Sequence, residues 1–293
     1  MTLWVLALIV GAACVFCVCW WGTNIVLHPP SMSRMTAFPE QFGLPYERVK
    51  FPNSDGLTLS GWWIPSPNEG ETRTIVMCHG WGDNKGELLR ETAFLNQTGG
   101  FNLFYFDTRS HGDSEGDITT IGYLETLDLK AALKHLKETK PEFTRRLGIF
   151  GFSMGAAVAS MVMPAHPELK AGVLESPFTI YKRVVARYAW NNMRVPYFPL
   201  VMFSLWLLRF RVASEIDSYS PAKFIAAIAP RPLLIIGGAD DRLMTEGDVR
   251  DLHGLAKDPK TLWIIPGAGH GRCRELAGLE YETRVCGFFN RHL

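Results

Sequence analysis

Nowhere in the 293 residues do lysines and arginines gather into a tract or interleave with aromatic side chains, and the formal net charge is only +1. A chain that tracked nucleic-acid phosphates would need such a stripe, so nucleic acid is excluded as an expected partner. Cysteine is scarce and badly placed for cross-linking. Cys14, Cys17 and Cys19 crowd into one apolar run, and Cys78, Cys273 and Cys286 are odd in number and lack metal-ligand spacing. Neither a disulfide framework nor a cysteine metal centre is therefore expected. Internal repeats and low-complexity tracts are missing too. With 47% hydrophobic and 20% charged residues, the chain can bury one large core, and it is neither disordered nor fibrous.

Charge is also absent from "LWVLALIVGAACVFCVCWW", Leu3 to Trp21. Continued through Leu27, the run reaches the roughly 20 residues that cross a hydrocarbon core as a helix. A cleaved signal would want a basic start and a shorter apolar centre, and no Lys or Arg precedes the run. Residues 1–27 therefore read as a retained, single-pass membrane helix with Trp20 and Trp21 suited to an interfacial belt. Arg34, Arg48 and Lys50 follow it, which places the rest of the chain on the cytoplasmic side. Residues 28–45 are Pro-rich and non-periodic and read as a linker. That separation leads us to expect that removal of residues 1–27 frees a domain still active on soluble substrates.

From residue 46 the pattern becomes that of a folded domain. "YERVKF" and "LTLSGWWIP" flank the turn signal "PNSDG" and read as a hairpin. Six short apolar runs follow, "TIVMCHG", "FNLFYFD", "LGIFGFS", "AGVLESP", "PLLIIGG" and "LWIIPG", most of them parted by helix-length segments. Apolar runs without alternation suit strands covered on both faces, so an α/β fold with a mostly parallel sheet and an antiparallel start is expected.

"GFSMG", residues 151–155, fits G-x-S-x-G between an expected strand and an Ala-rich helix, the context in which a serine is presented on a strained turn as a nucleophile. A serine hydroxyl needs a base, and the base needs an acid to fix its tautomer. An Asp pair follows "PLLIIGG" and His270 follows "LWIIPG", each at the carboxyl end of a strand. Within the pair, Asp241 is preferred to Asp240, because the first residue after a strand is more often turned into packing or a turn cap. His135, His166, His253 and His292 read as surface residues. The backbone N–H groups of Trp81, in "CHGWGDNKG", and of Met154 are candidates for holding a developing oxyanion. His79 is expected to order this loop rather than to titrate.

"HGWGDNKG", "YFDTRSHGDSEG", "GFSMG", "LESPF", "GGADDR" and "GAGH" occur in the order of the conserved blocks of the α/β-hydrolase superfamily. The chain most resembles its membrane-anchored serine hydrolases, the branch of the serine aminopeptidases and acylglycerol lipases. The resemblance covers residues 46–293. It implies an eight-stranded sheet with helices on both faces and a Ser153, Asp241, His270 triad. Ser110 stands where such sequences usually carry Gly, and Gly237 where a His is frequent.

Residues 179–229 then form an insertion where a lid would sit. Its apolar middle, "RVPYFPLVMFSLWLLRFRV", offers Phe198, Phe203, Trp206 and Leu207 to substrate or to a membrane interface. A plain core helix is the competing reading of this segment. The expected activity is hydrolysis of carboxylic esters with an apolar acyl group, small-molecule or lipid, through an acyl-enzyme on Ser153. No metal or organic cofactor is implied. A peptidase or thioesterase with the same triad stays open, with Glu175 the one candidate for gripping a peptide terminus, as does a non-catalytic membrane scaffold.

Overall fold

A computed structural model describes residues 2–29, 35–212, 214–215 and 219–293. Arg34, counted in the orientation argument, lies outside the described residues, as do residues 30–33 of the linker and 213 and 216–218 of the insertion.

The expected eight-stranded sheet is present. It comprises β1 (Glu47–Pro52), β2 (Thr58–Ile64), β3 (Arg73–Cys78), β4 (Asn102–Phe106), β5 (Arg146–Phe152), β6 (Leu169–Glu175), β7 (Leu233–Gly238) and β8 (Lys260–Ile265). The strand order is β1-β2-β4-β3-β5-β6-β7-β8. β2 runs antiparallel to both β1 and β4, and every later pairing is parallel. The helices are α1 (Thr2–Leu27), α2 (Lys85–Thr92), α3 (Phe94–Gln97), α4 (Glu125–Thr139), α5 (Met154–Val162), α6 (Tyr181–Met193), α7 (Met202–Arg211), α8 (Glu246–Leu255) and α9 (Cys273–His292).

Alternate strand residues feed two separate cores, because successive side chains leave opposite faces of a strand. Ile75, Met77, Leu103 and Tyr105 join α2, α3 and α9 on one face. Val76, Cys78, Phe104 and Phe106 join α4, α5 and α8 on the other. With both faces covered, the strands carry apolar residues at odd and even positions alike, which is why the runs showed no alternation.

The expectation that residues 1–27 stand apart from the domain is not met. α1 is long and apolar enough to cross a membrane, and its residues Leu3 to Val18 are exposed. Its last two turns are docked. Val26 and Leu27 are buried in the same core as β3 and α5. The carbonyl oxygen of Val26 accepts the Trp81 indole N–H at 3.1 Å, and that of Leu27 accepts the Thr119 backbone N–H at 3.0 Å. Two carbonyls that a helix end would leave unpartnered are thereby satisfied by the domain. α7 lies alongside: Arg211 donates to Thr23 Oγ1 and to Asn24 Oδ1 at 2.5 and 2.6 Å, and its guanidinium stands 4.5 Å from the Trp20 ring centre. The linker is docked as well, since the Thr36 backbone N–H donates to Glu87 on α2 at 3.1 Å and Ala37 is buried.

Candidate active site

β5 is flanked by β3 and β6, and its last residues lead into Ser153 and the fully buried helix α5. Ser153 has φ 53° and ψ −114°, a conformation that costs a non-glycine residue free energy and that its surroundings must hold. They do so by close approach. A Cβ on Gly155 would lie 2.1 Å from the Cys78 carbonyl oxygen, so α5 can start against β3 only with glycine there. The Ser153 backbone N–H is fixed by the Glu175 carbonyl at 2.9 Å.

The structure brings Ser153, Asp241 and His270 together. His270 Nε2 is 3.1 Å from Ser153 Oγ, and its Nδ1 is 2.7 Å from Asp241 Oδ2. The other oxygen of Asp241 accepts the backbone N–H groups of Leu243 and Met244, both at 2.8 Å. That turn rotates Asp241 inward, where it is buried, while Asp240 is exposed and its backbone N–H donates to the Ala268 carbonyl at 2.9 Å. Nδ1–H donation to a carboxylate leaves the Nε2 lone pair facing the serine, the tautomer a base requires.

Trp81 and Met154 both line the cavity that holds Ser153 and His270, about 220 Å³ in volume. A Cβ on Gly80 would meet the Phe152 ring at 3.1 Å and Ser153 Cβ at 3.5 Å, so the Trp81 loop passes directly over the elbow. Two buried histidines grip that loop on either side of Trp81. His79 Nδ1 donates to the Gly80 carbonyl at 2.8 Å, and His111 Nε2 accepts the Gly82 N–H at 3.1 Å. Each remaining ring nitrogen is engaged with the backbone of the loop after β4: His79 Nε2 accepts the Thr108 N–H at 3.0 Å and His111 Nδ1 donates to the Arg109 carbonyl at 2.7 Å. Burial pushes both imidazoles below their ordinary pKa, and this bonding pattern fits neutral rings. Beneath them Lys85, fully buried, is paired with Asp107 and, at 2.8 Å, with Asp113.

Several cavity residues carry no sequence signal of chemistry: Val26 of α1, Ile121, Val184, Val185 and Tyr188 of α6, and Leu243 with Met244. Ile121 is held at φ 53° in a loop whose Thr119, Thr120 and Gly122 all donate to the buried carboxylate of Glu125. None of Phe198, Phe203, Trp206 and Leu207 lines this cavity. The first three are exposed, and Leu207 is buried rather than available to an interface. Glu175 is buried and accepts the Tyr281 hydroxyl, with burial raising its pKa. Its carboxylate is already engaged. Ser110 adopts φ 59°, the left-handed region that glycine enters at least cost.

A family model described as serine aminopeptidase, S33, matches residues 70–218. An uncharacterized protein, YfhR, of Escherichia coli O157:H7 is 31% identical over 229 residues, covering 76% of this chain and 73% of its own. The α/β-hydrolase domain-containing protein WAV2 of Arabidopsis thaliana is 28% identical over 243 residues, covering 79% and 74%. Among solved structures, the Pyrococcus furiosus esterase Pf2001 superposes with a TM-score of 0.74 at 28% identity, over 91% of this chain and 98% of its own.

Proposed function

The chain belongs to the serine aminopeptidase (S33) family of α/β-hydrolases, and on that premise we propose that it is a membrane-tethered serine hydrolase of carboxylic esters bearing an apolar acyl group. The observation that carries the reading is His270, within hydrogen-bond reach of Ser153 Oγ on one ring nitrogen and of buried Asp241 on the other. In the proposed cycle Ser153 gives its proton to His270 and attacks the ester carbonyl. The Trp81 and Met154 amides hold the oxyanion, and His270 then protonates the departing alcohol. Water repeats the sequence on the acyl-enzyme and frees the acid.

The acyl preference rests on the cavity walls, where Val26, Ile121, Val184, Val185, Leu243 and Met244 present hydrocarbon to the substrate. An ester is favoured over a peptide because Glu175, the side chain that could grip a peptide amine, is buried under Tyr281. A structural neighbour named as an esterase agrees with this choice. Residues 1–27 are proposed to cross the membrane once with the domain on the cytoplasmic side, and residues 179–229 to cover the site as a lid, with α6 as its inner wall.

The test is labelling by a fluorophosphonate together with turnover of p-nitrophenyl butyrate and of aminoacyl and peptidyl p-nitroanilides. Ser153→Ala abolishes both labelling and turnover, and His270→Ala and Asp241→Asn each lower kcat by orders of magnitude while Asp240→Asn is mild. Labelling of Ser153→Ala at the wild-type rate refutes the nucleophile. Faster turnover of the anilides than of the ester refutes the substrate class.

A further inference from the structure

We infer that the groove between α1 and the α6–α7 insertion is the binding site for the acyl chain of the substrate, which therefore reaches Ser153 laterally from the bilayer alongside α1. This rests on the serine-hydrolase reading and adds to it a ligand class, a long unbranched acyl chain, and a path. A second cavity, about 60 Å³, adjoins the one at Ser153. Val26, Val185 and Tyr188 line both.

The second cavity runs back along α1 through Ile25 and Gly22 to Val18, with Ala189, Leu205 and Leu208 as its far wall. From Val26 to Val18 the helix axis advances about 12 Å. At the outer end Val18 and Trp21 are 47% and 59% exposed, on the helix that is apolar enough to lie in lipid. Among the described residues, no charged side chain lines this cavity. Two of its three hydroxyls are bonded to backbone carbonyls, Ser204 to Leu200 at 3.0 Å and Thr23 to Trp20 at 2.7 Å, and the third, of Tyr188, belongs to the end shared with the Ser153 cavity. Most of the lining is hydrocarbon, which offers little to a polar ligand, whereas methylenes gain burial there.

The two walls meet along a close seam, tied at one end by Arg211 to Thr23 and Asn24. A Cβ on Gly22 would sit 3.0 Å from Ser204 Oγ, so glycine allows α1 and α7 to close on each other, and Cys19 Sγ donates to the Leu200 carbonyl at only 3.5 Å. An entering chain opens this seam from the lipid side, with its carboxyl end led to Ser153 between Tyr188 and Val26.

The decisive probe is a fluorophosphonate carrying a long alkyl chain with a diazirine near its far end, added to the full-length protein in phosphatidylcholine vesicles. Ser153 Oγ forms a bond to phosphorus as the P–F bond breaks, its proton passing to His270 and fluoride leaving. Irradiation then marks what surrounds the chain end. The expected cross-links fall on peptides containing residues 18–26 and 200–208. Cross-links confined to other elements overturn the path, and absence of any Ser153 label overturns the hydrolase reading itself. In parallel, kcat/KM of p-nitrophenyl esters from butyrate to laurate rises by up to about fourfold per methylene. Leu205→Trp, which fills the groove without touching the Ser153 cavity, removes that rise and leaves butyrate unchanged. A flat profile in the wild-type protein with butyrate still turned over refutes the groove alone.

Discussion

Two truncations separate a helix that merely tethers the domain from one that is part of it. Removing residues 1–17 leaves every docked position of α1 in place, from Cys19 to Leu27. Removing residues 1–27 takes away Val26 and Leu27, 8% and 1% exposed. Burying two such side chains stabilises the fold by roughly 3 to 6 kcal/mol. The hydrogen bonds from the Trp81 indole to Val26 and from the Thr119 N–H to Leu27 add about 1 kcal/mol each. The sum, roughly 5 to 8 kcal/mol, is comparable with the whole stability of a typical domain. It predicts a melting temperature lower by roughly 10 to 30 °C for a chain of this size. Butyrate ester turnover falls with it, because the loop of Trp81 and the wall formed by Val26 are both released. With both truncated proteins in the same detergent, Tm from circular dichroism and kcat/KM on the butyrate ester decide the matter. If the protein without residues 1–27 keeps its Tm within a few degrees and its full kcat/KM, the docking of α1 contributes nothing and the reasoning fails.

Trp206→Ser and Leu207→Ser, adjacent on α7, diverge. The first replaces a half-exposed ring and leaves Tm nearly unchanged, whereas the second buries a hydroxyl in place of a packed side chain and costs about 3 kcal/mol or more; equal effects would contradict the orientation of the helix. Lys85→Met strands the buried Asp107 carboxylate without its cation and destabilises the protein by about 3 to 5 kcal/mol, to be read from urea denaturation, and a neutral outcome would mean that Asp107 is satisfied without it. Burial raises the Asp83 carboxyl to a pKa of about 7, with Glu87 and Asp107 adding to the shift. Since the unfolded chain loses that proton near pH 4, the native state binds the extra proton between about pH 4 and pH 7, and stability is lost as pH rises through that window. Asp83→Asn removes the loss, so the Tm of the variant relative to wild type climbs from about pH 5 to about pH 8; a constant gap refutes the shift.

What could be read from the sequence was what its polarity encodes. Strands covered on both faces appear as unbroken apolar runs, and Ser153 and His270 stand out because a polar side chain at the end of such a run needs a reason. The docking of α1 was illegible for the opposite cause. Its protein-facing Val26 and Leu27 are as apolar as its exposed Leu6 and Ile9, so no amphipathic stripe separates the two surfaces. The cavity at Ser153 was hidden likewise, since Val184, Val185 and Ile121 are indistinguishable from core residues until the sheet is assembled. Leu207 and Trp206 differ by one helical step, and only the partner of α7 decides which of them faces in. The preference for Asp241 over Asp240 was a statement about strand ends, whereas the inward rotation comes from two amides in the following turn.

The asymmetry of α1 has a consequence for how its sequence can drift. Ahead of Val18 the helix makes no described contact with the domain, so residues can be gained or lost there with the rest of the chain left undisturbed, and on the proposed membrane-crossing reading such changes would match bilayers of different thickness. Behind Gly22 the tolerance vanishes. A single inserted residue would turn the final turns by about 100° and shift them by about 1.5 Å, taking Val26 off the cavity and Thr23 and Asn24 away from Arg211. Homologues of this chain should therefore vary freely in length at the start of the helix and not at all between the Gly22 and Leu27 positions, an imprint that an alignment can record without any assay.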